Sequence, residues 1–251
     1  MLHYTVSGDG PTVTFLHGFT QTSQTWIPVL DVLGSEVTAT LIDAPGHGES
    51  FDGKRSLVDT ATDIAEIMPT GILVGYSMGA RMALHVALQS PNKVTTLVLV
   101  SGTAGIDSQA DRTTRRDSDA RLASRILDIG VPAFVDEWLA LPMFAGLTEK
   151  TADIPERLRN SAQGLADSLI HAGTGTQMPM WESLSRLTMP VHLIAGESDE
   201  KFVAQAQRMH QLIPESVLHI VPNAGHTVHL EQPEMFASIL RSIIASSNSE
   251  K

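Results

Sequence analysis

The chain has 251 residues, 42% hydrophobic and 18% charged, with a formal net charge of −11 and no cysteine. That length buries the core of one large α/β domain, or of a domain carrying an insertion. The acidic balance excludes the basic face that tracks nucleic acid and leaves any anionic ligand dependent on a local arginine cluster, while the missing cysteine excludes disulfides, thiolate metal sites and cysteine catalysis and fits a cytoplasmic address.

The opening segment "MLHYTVSGDGP" lacks the basic start and apolar core of a signal peptide, and no run is long and apolar enough to suggest a membrane partner. From there the segments alternate. "PTVTFLHGF" reads as a strand and "SQTWIPVLDVLG" as a helix. "EVTATLIDAPGHGES" reads as a strand with a loop, and "SLVDTATDIAEIM" as a helix. "GILVGYS" is a strand, "MGARMALHVALQSP" a helix and "KVTTLVLVSGTAG" again a strand. Several of these strands are continuous apolar runs, the pattern of strands buried on both faces of a parallel sheet. Alternation with helices implies crossover connections and a doubly wound arrangement.

The rhythm breaks after Ser101. "RRDSDARLASRILDIG", "PAFVDEWLALPMF" and "IPERLRNSAQGLADSLIHAG" carry helical patterns and no strong strand. Strands return with "MPVHLIAGESD" and "SVLHIVPNAGH", separated by the helical "KFVAQAQRMHQLIP", and a helix from Pro233 closes the chain. The expectation is an α/β core of residues 1–105 and 187–251, a mostly parallel twisted sheet flanked by helices. A helical cap insertion, 106–186, folds over the strands' C-terminal ends, where active sites gather.

Gly75-x-Ser77-x-Gly79 has the pattern of a nucleophile elbow, in which the turn is too tight for side chains at the flanking positions. A strand precedes it and a helix follows, so Ser77 stands above the sheet at a helix N-terminus, where N–H groups stabilise developing negative charge. The partners of such a serine follow in the order acid, then histidine. Asp199 lies in "AGESDEKF" past one strand end, and His226 in "PNAGHTVH" past the next. Glu197 and Glu200 are rivals for the acid role; Asp199 is preferred because its loop places it past the turn, where His226 must arrive. The oxyanion donors are assigned to the backbone N–H of Met78 and of Phe19, in "LHGFT", where Gly18 lets the loop bend close. A metal is not expected: His226 and His229 sit three apart and His47 lies in "PGHGES", but spacing by itself is poor evidence, since a zinc site needs a third ligand and ordered surroundings.

Ser77, Asp199 and His226, with "LHGFT" and "DAPGHGES", resemble the α/β-hydrolase superfamily over nearly the whole chain. More specifically, "GYSMGAR", "FVDEWLALPMF" and the cap segment "RNSAQGLADSLIHAGTGTQMPMW" are similar to the 2-succinyl-6-hydroxy-2,4-cyclohexadiene-1-carboxylate synthases. The one departure is Ile170, where those enzymes tend to carry an arginine. The resemblance implies an α/β-hydrolase fold and a lyase of menaquinone biosynthesis. Such an enzyme eliminates pyruvate from a small polycarboxylate by proton abstraction, with no cofactor. It further implies substrate-binding roles for Tyr76, Arg81, Arg115, Trp138 and Arg159; Arg112, Arg116 and Arg121 lie in the same mixed-charge run as Arg115. Guanidinium suits the task because it binds carboxylate bidentately and keeps its charge. A serine esterase or carbon–carbon bond hydrolase is the alternative, using the same triad with a covalent or hydrated intermediate.

Overall fold

The computed structural model describes residues 1–249. Among them, one sheet holds β1 (Tyr4–Ser7), β2 (Thr12–Leu16), β3 (Thr38–Ile42), β4 (Gly71–Tyr76), β5 (Val94–Val100), β6 (Val191–Gly196) and β7 (Val217–Val221). The spatial order is β1-β3-β2-β4-β5-β6-β7. β1 pairs antiparallel with β3, and every other pair is parallel.

The helices are α1 (Ile27–Leu33), α2 (Leu57–Ile67), α3 (Met78–Gln89), α4 (Gln109–Leu139), α5 (Ile154–Arg157), α6 (Ala162–Ala172), α7 (Glu200–Leu212), α8 (Val228–Glu231) and α9 (Pro233–Ser249). Successive strand residues point to opposite faces, so the continuous apolar runs split into two cores. Leu73, Leu97, Leu99 and Leu193 pack with α2, α3 and α7 on one face. Ile72, Val74, Val98, Val100 and Ile194 pack with α1 and α9 on the other.

The chain winds from β2 outward to β3, then crosses back to β4 on the other side of β2. This reversal leaves the C-terminal ends of β2 and β4 side by side, with Leu16 opposite Gly75. It is the crevice where an open α/β sheet receives its ligand.

α4 and α6 lie between β5 and β6 in the chain and share an apolar seam. Ala123, Ile126, Phe134 and Val135 of α4 meet Leu165, Ala166 and Leu169 of α6, and Phe19 of the core packs against the seam. α4 bends at Gly130, φ 77°, and Pro132 follows in the first turn of the second segment, where its missing N–H removes no helical bond. Ser108 and Ser161 cap α4 and α6 by accepting from Asp111 N and Gly164 N. No helix among the described residues is long and apolar enough to cross a membrane.

Candidate active site

The elbow is built by close backbone approach. A Cβ on Gly75 would strike the Gly79 carbonyl, and one on Gly79 would strike the carbonyls of Leu16 and His17. Ser77 itself is held at φ 51°, ψ −102°, a strained conformation for a residue with a side chain. It is clamped there by its N–H donating to Val100 O at 2.8 Å. The strain lifts Oγ out of the sheet at the start of α3.

His226 Nε2 lies 3.0 Å from Ser77 Oγ, and His226 Nδ1 lies 2.6 Å from Asp199 Oδ2. The structure therefore brings together three residues that the sequence separates by up to 149 positions. With Nδ1–H donated to the carboxylate, Nε2 is left as the acceptor for the serine proton. Asp199 also caps α7, its Oδ1 accepting from Phe202 N at 3.4 Å. Glu197 and Glu200 are exposed.

Two supports of this chain of groups carry no recognisable sequence motif. Ser101 Oγ donates to His226 O at 2.8 Å. Glu231 accepts from Gly225 N at 2.7 Å and from Thr227 N at 2.9 Å, gripping the backbone on both sides of the histidine. The Phe202 ring lies 4.5 Å from the His226 ring and Tyr76 lies 5.3 Å from it, so the imidazole is sandwiched as well as bonded.

Met78 is the first residue of α3, so its N–H has no acceptor within the helix. Phe19 follows the end of β2. Its N–H engages no hydrogen-bond acceptor among the described residues, and Gly18 permits the bend because a Cβ there would collide with the Tyr76 ring. Behind this loop, His17 donates through Nδ1 to Gly18 O at 2.8 Å and accepts at Nε2 from Ala44 N at 2.9 Å.

Phe19, Met78, Ser77 and His226 open into a cavity of about 700 Å³ between the sheet and the cap. Its lining includes Arg81 and Arg115, Trp138 and Phe144, and Lys201, Gln205 and Arg208 of α7. Arg81 is only 7% exposed. Its Nη1 donates to Ala172 O at 2.8 Å. Burial, with Arg115 nearby, lowers its pKa to about 10, so the guanidinium stays charged at neutral pH. Arg115 Nε donates to Asp119 Oδ1 at 2.8 Å. Trp138 packs edge-on against Phe19, its ring 5.3 Å away, and its Nε1 is buried without a partner.

Other expected residues lie differently. Tyr76 touches the cavity but is 3% exposed, and it packs on His226 and His229 as a wall behind the triad. Burial raises its pKa further. Arg159 stands outside the cavity, where Glu49 and Glu156 pair with it at 2.9 and 3.0 Å. The charge that recommended it is spent on surface acids. Arg116 turns away to Gly175 O and Thr113. Ile170 is 43% exposed on α6 and is not among the residues lining the cavity. His229 is buried between Trp26 and Tyr76, and His47 against His17 and Phe19. Among the described residues, no three His, Asp or Glu side chains gather as a metal site.

Comparisons with known proteins agree with this geometry. The model of the alpha/beta hydrolase family matches residues 15–239. A putative 2-succinyl-6-hydroxy-2,4-cyclohexadiene-1-carboxylate synthase of Bacillus subtilis is 40% identical over 98% of this chain and 96% of its own length. The 2-succinyl-6-hydroxy-2,4-cyclohexadiene-1-carboxylate synthase of Salmonella typhimurium is 33% identical over 92% of this chain and 94% of its own. Among solved structures, MenH from S. aureus superposes with a TM-score of 0.91 at 31% identity, covering 99% of this chain and all of that one.

Proposed function

The chain belongs to the 2-succinyl-6-hydroxy-2,4-cyclohexadiene-1-carboxylate synthase family of the α/β hydrolases, and from that premise we propose how its site carries out the reaction. The enzyme is a carbon–oxygen lyase of menaquinone biosynthesis. It eliminates pyruvate from 2-succinyl-5-enolpyruvyl-6-hydroxy-3-cyclohexene-1-carboxylate to give 2-succinyl-6-hydroxy-2,4-cyclohexadiene-1-carboxylate.

The substrate's own connectivity dictates what the site must do. The hydrogen on C2 is acidic because the succinyl ketone is attached there. Removing it places charge on the ketone oxygen as an enolate. Return of those electrons forms C2=C3, shifts C3=C4 to C4=C5 and breaks the C5–O bond. Enolpyruvate leaves and tautomerises to pyruvate.

In our reading Ser77 Oγ, its proton drawn to His226 Nε2, takes the C2 hydrogen. Asp199 holds the imidazole tautomer and stabilises the imidazolium that results, until its proton passes to the departing enolpyruvate oxygen. Phe19 N–H and Met78 N–H receive the enolate oxygen. No acyl-enzyme forms, and no cofactor or metal enters. Arg81 and Arg115 bind substrate carboxylates, and Trp138, which lines the same cavity, packs against the ligand. We extend the proposal to domain organisation: residues 1–105 and 187–251 are the core, and 106–186 are the cap that closes the cavity.

One observation carries the site assignment: the Ser77–His226–Asp199 chain opens into a cavity that is also lined by a buried, charged arginine, one helical turn after the serine. The test is pyruvate release from the cyclohexene substrate, followed by a coupled dehydrogenase. Wild-type turnover abolished in Ser77→Ala supports the reading. Turnover that survives Ser77→Ala, or activity on neutral esters alone, overturns it.

A further inference from the structure

The loop that carries Phe19 is held from outside the core. Thr20, the next residue, sits at φ 67°, a left-handed conformation that a β-branched side chain adopts only under restraint. Thr20 is fully buried, and its hydroxyl and carbonyl are both taken, by Arg157 at the end of α5 and by Asn160 in the segment joining α5 to α6. Arg157 donates through Nη1 to Thr20 Oγ1, and through Nε to Ala152 O at 2.7 Å. Asn160 donates through Nδ2 to Thr20 O at 2.7 Å and to Arg157 O at 3.0 Å, while its Oδ1 accepts from Gly48 N at 2.9 Å. Two residues on, Thr22 Oγ1 donates to Glu156 Oε2 at 3.1 Å. From inside, Gly18 N–H donates to Gln21 Oε1 at 2.9 Å and Gln21 N–H to Gly18 O at 3.2 Å, closing the turn.

Filling space alone does not account for these groups. Arg157 is 1% exposed and Asn160 5%. Burying a guanidinium costs several kcal/mol unless well-placed partners offset it, and an apolar side chain of similar volume packs without that cost. No carboxylate forms an ion pair with Arg157 among the described residues. What the fork does meet is a hydroxyl and a carbonyl, and the hydroxyl belongs to the residue after Phe19.

We propose that Arg157 and Asn160 are positioning residues for the elimination: gripping Thr20 in its left-handed conformation, they aim the Phe19 N–H at the enolate oxygen. The proposal rests on the reading of Phe19 N–H as an oxyanion donor. It makes the cap part of the catalytic apparatus and not only a cover, because the two side chains reach the oxyanion loop from the cap. Released, the Gly18–Phe19–Thr20 peptides rotate, and misplacing a donor by about 1 Å costs on the order of a hundredfold in rate.

The test uses the full-length enzyme with Arg157→Met, Thr20→Val and Thr20→Ser. In Arg157→Met and Thr20→Val, kcat for pyruvate release falls about 10- to 100-fold. KM stays within about twofold, because Arg81 and Arg115 are untouched. Thr20→Ser keeps the accepting hydroxyl and remains within about threefold of wild type. A second readout is the inhibition constant of a phenylboronic acid, whose tetrahedral adduct on Ser77 places an oxygen at the two N–H groups. It weakens in proportion to kcat in Arg157→Met and Thr20→Val. A merely structural role moves neither the KM-against-kcat split nor this affinity. A folded Arg157→Met enzyme with wild-type kcat, or a loss carried by KM alone, overturns the proposal. If Arg157→Met does not fold, equal kcat in Thr20→Val and Thr20→Ser overturns it. Boronate binding needs no turnover, so an enzyme that releases no pyruvate refutes the proposed function while the clamp is still judged.

Discussion

Arg81→Met separates the cost of the buried guanidinium from its use. The side chain is 7% exposed, and burial lowers its pKa from 12.5 to about 10. At 1.36 kcal/mol per unit, holding the charge in the fold costs about 3 kcal/mol at neutral pH. The one bond the free protein offers in return is Nη1 to Ala172 O; leaving that carbonyl unpaired in the variant costs about 1–3 kcal/mol. Methionine fills much of the same volume, so the net effect on stability lies between about zero and +2 kcal/mol. For a chain of this size that is a rise in Tm of up to about 8 °C. Substrate binding moves the opposite way. Losing a charge-assisted partner of a buried carboxylate costs about 2–5 kcal/mol, so kcat/KM for pyruvate release drops about 30- to 5,000-fold. Differential scanning fluorimetry and the coupled pyruvate assay on one preparation measure both. A variant that melts well below wild type while keeping its kcat/KM would refute the reasoning, since Arg81 would then be a structural arginine and the cavity would not be built for anions.

The remaining expectations follow from the same geometry. Ser77→Ala abolishes pyruvate release and leaves Tm within a few degrees, because Oγ touches only His226 and the cavity; a large drop in Tm contradicts that. Gly79→Ala, whose Cβ would meet backbone carbonyls of Leu16 and His17, destabilises by about 3 kcal/mol or more, read from a denaturant midpoint. Glu231→Gln weakens the grip on the histidine loop and lowers kcat about tenfold, with KM unchanged, in steady-state kinetics. Stability falls steeply on acidification. Burial lowers His47 to a pKa of about 3 and His85 to about 4. Both are neutral in the fold while the unfolded chain protonates them below about pH 6.5. The unfolded state therefore binds more protons as pH falls, and between pH 6.5 and 4.5 the two together cost about 5 kcal/mol, the loss ending near each folded pKa. Thermal melts across that range check it, and His85→Leu makes the dependence shallower by about 1.4 kcal/mol per pH unit; an unchanged slope counts against His85 as a source.

The sheet was legible where burial on both faces made strands into continuous apolar runs, as in β4, β5 and β6. β1 escaped because it is only four residues long and its alternating Tyr4 and Val6 do not form the continuous apolar run of a strand buried on both faces. All four of its residues are solvent-exposed, and it exists through antiparallel pairing to β3 along the edge, which composition does not encode. The break between the two helical patterns of the cap did show, as Gly130 and Pro132, and the structure bends α4 there. The elbow glycines were readable for a related reason. A backbone that must approach another backbone tolerates no Cβ, and that constraint is local enough to leave a five-residue mark.

Arginines leave no such mark, and the contrast between Arg157 and Arg159 shows why. Both stand in "IPERLRNSAQG", two residues apart and with the same local composition. The resemblance pointed to Arg159, yet it pairs with Glu49 and Glu156 at the surface, while Arg157 is driven to full burial beneath the oxyanion loop. Arg157 closes the single turn of α5 and Arg159 lies just beyond it, so the course of the backbone at that helix end, tied to the loop after β2, decides which of the two turns inward. A motif can report a group whose chemistry fixes the local backbone, as the serine does. It cannot report a charge whose role depends on the course of the backbone at a helix end. The arginines proposed to bind the anion, and the one proposed to aim the Phe19 loop, are of that second kind.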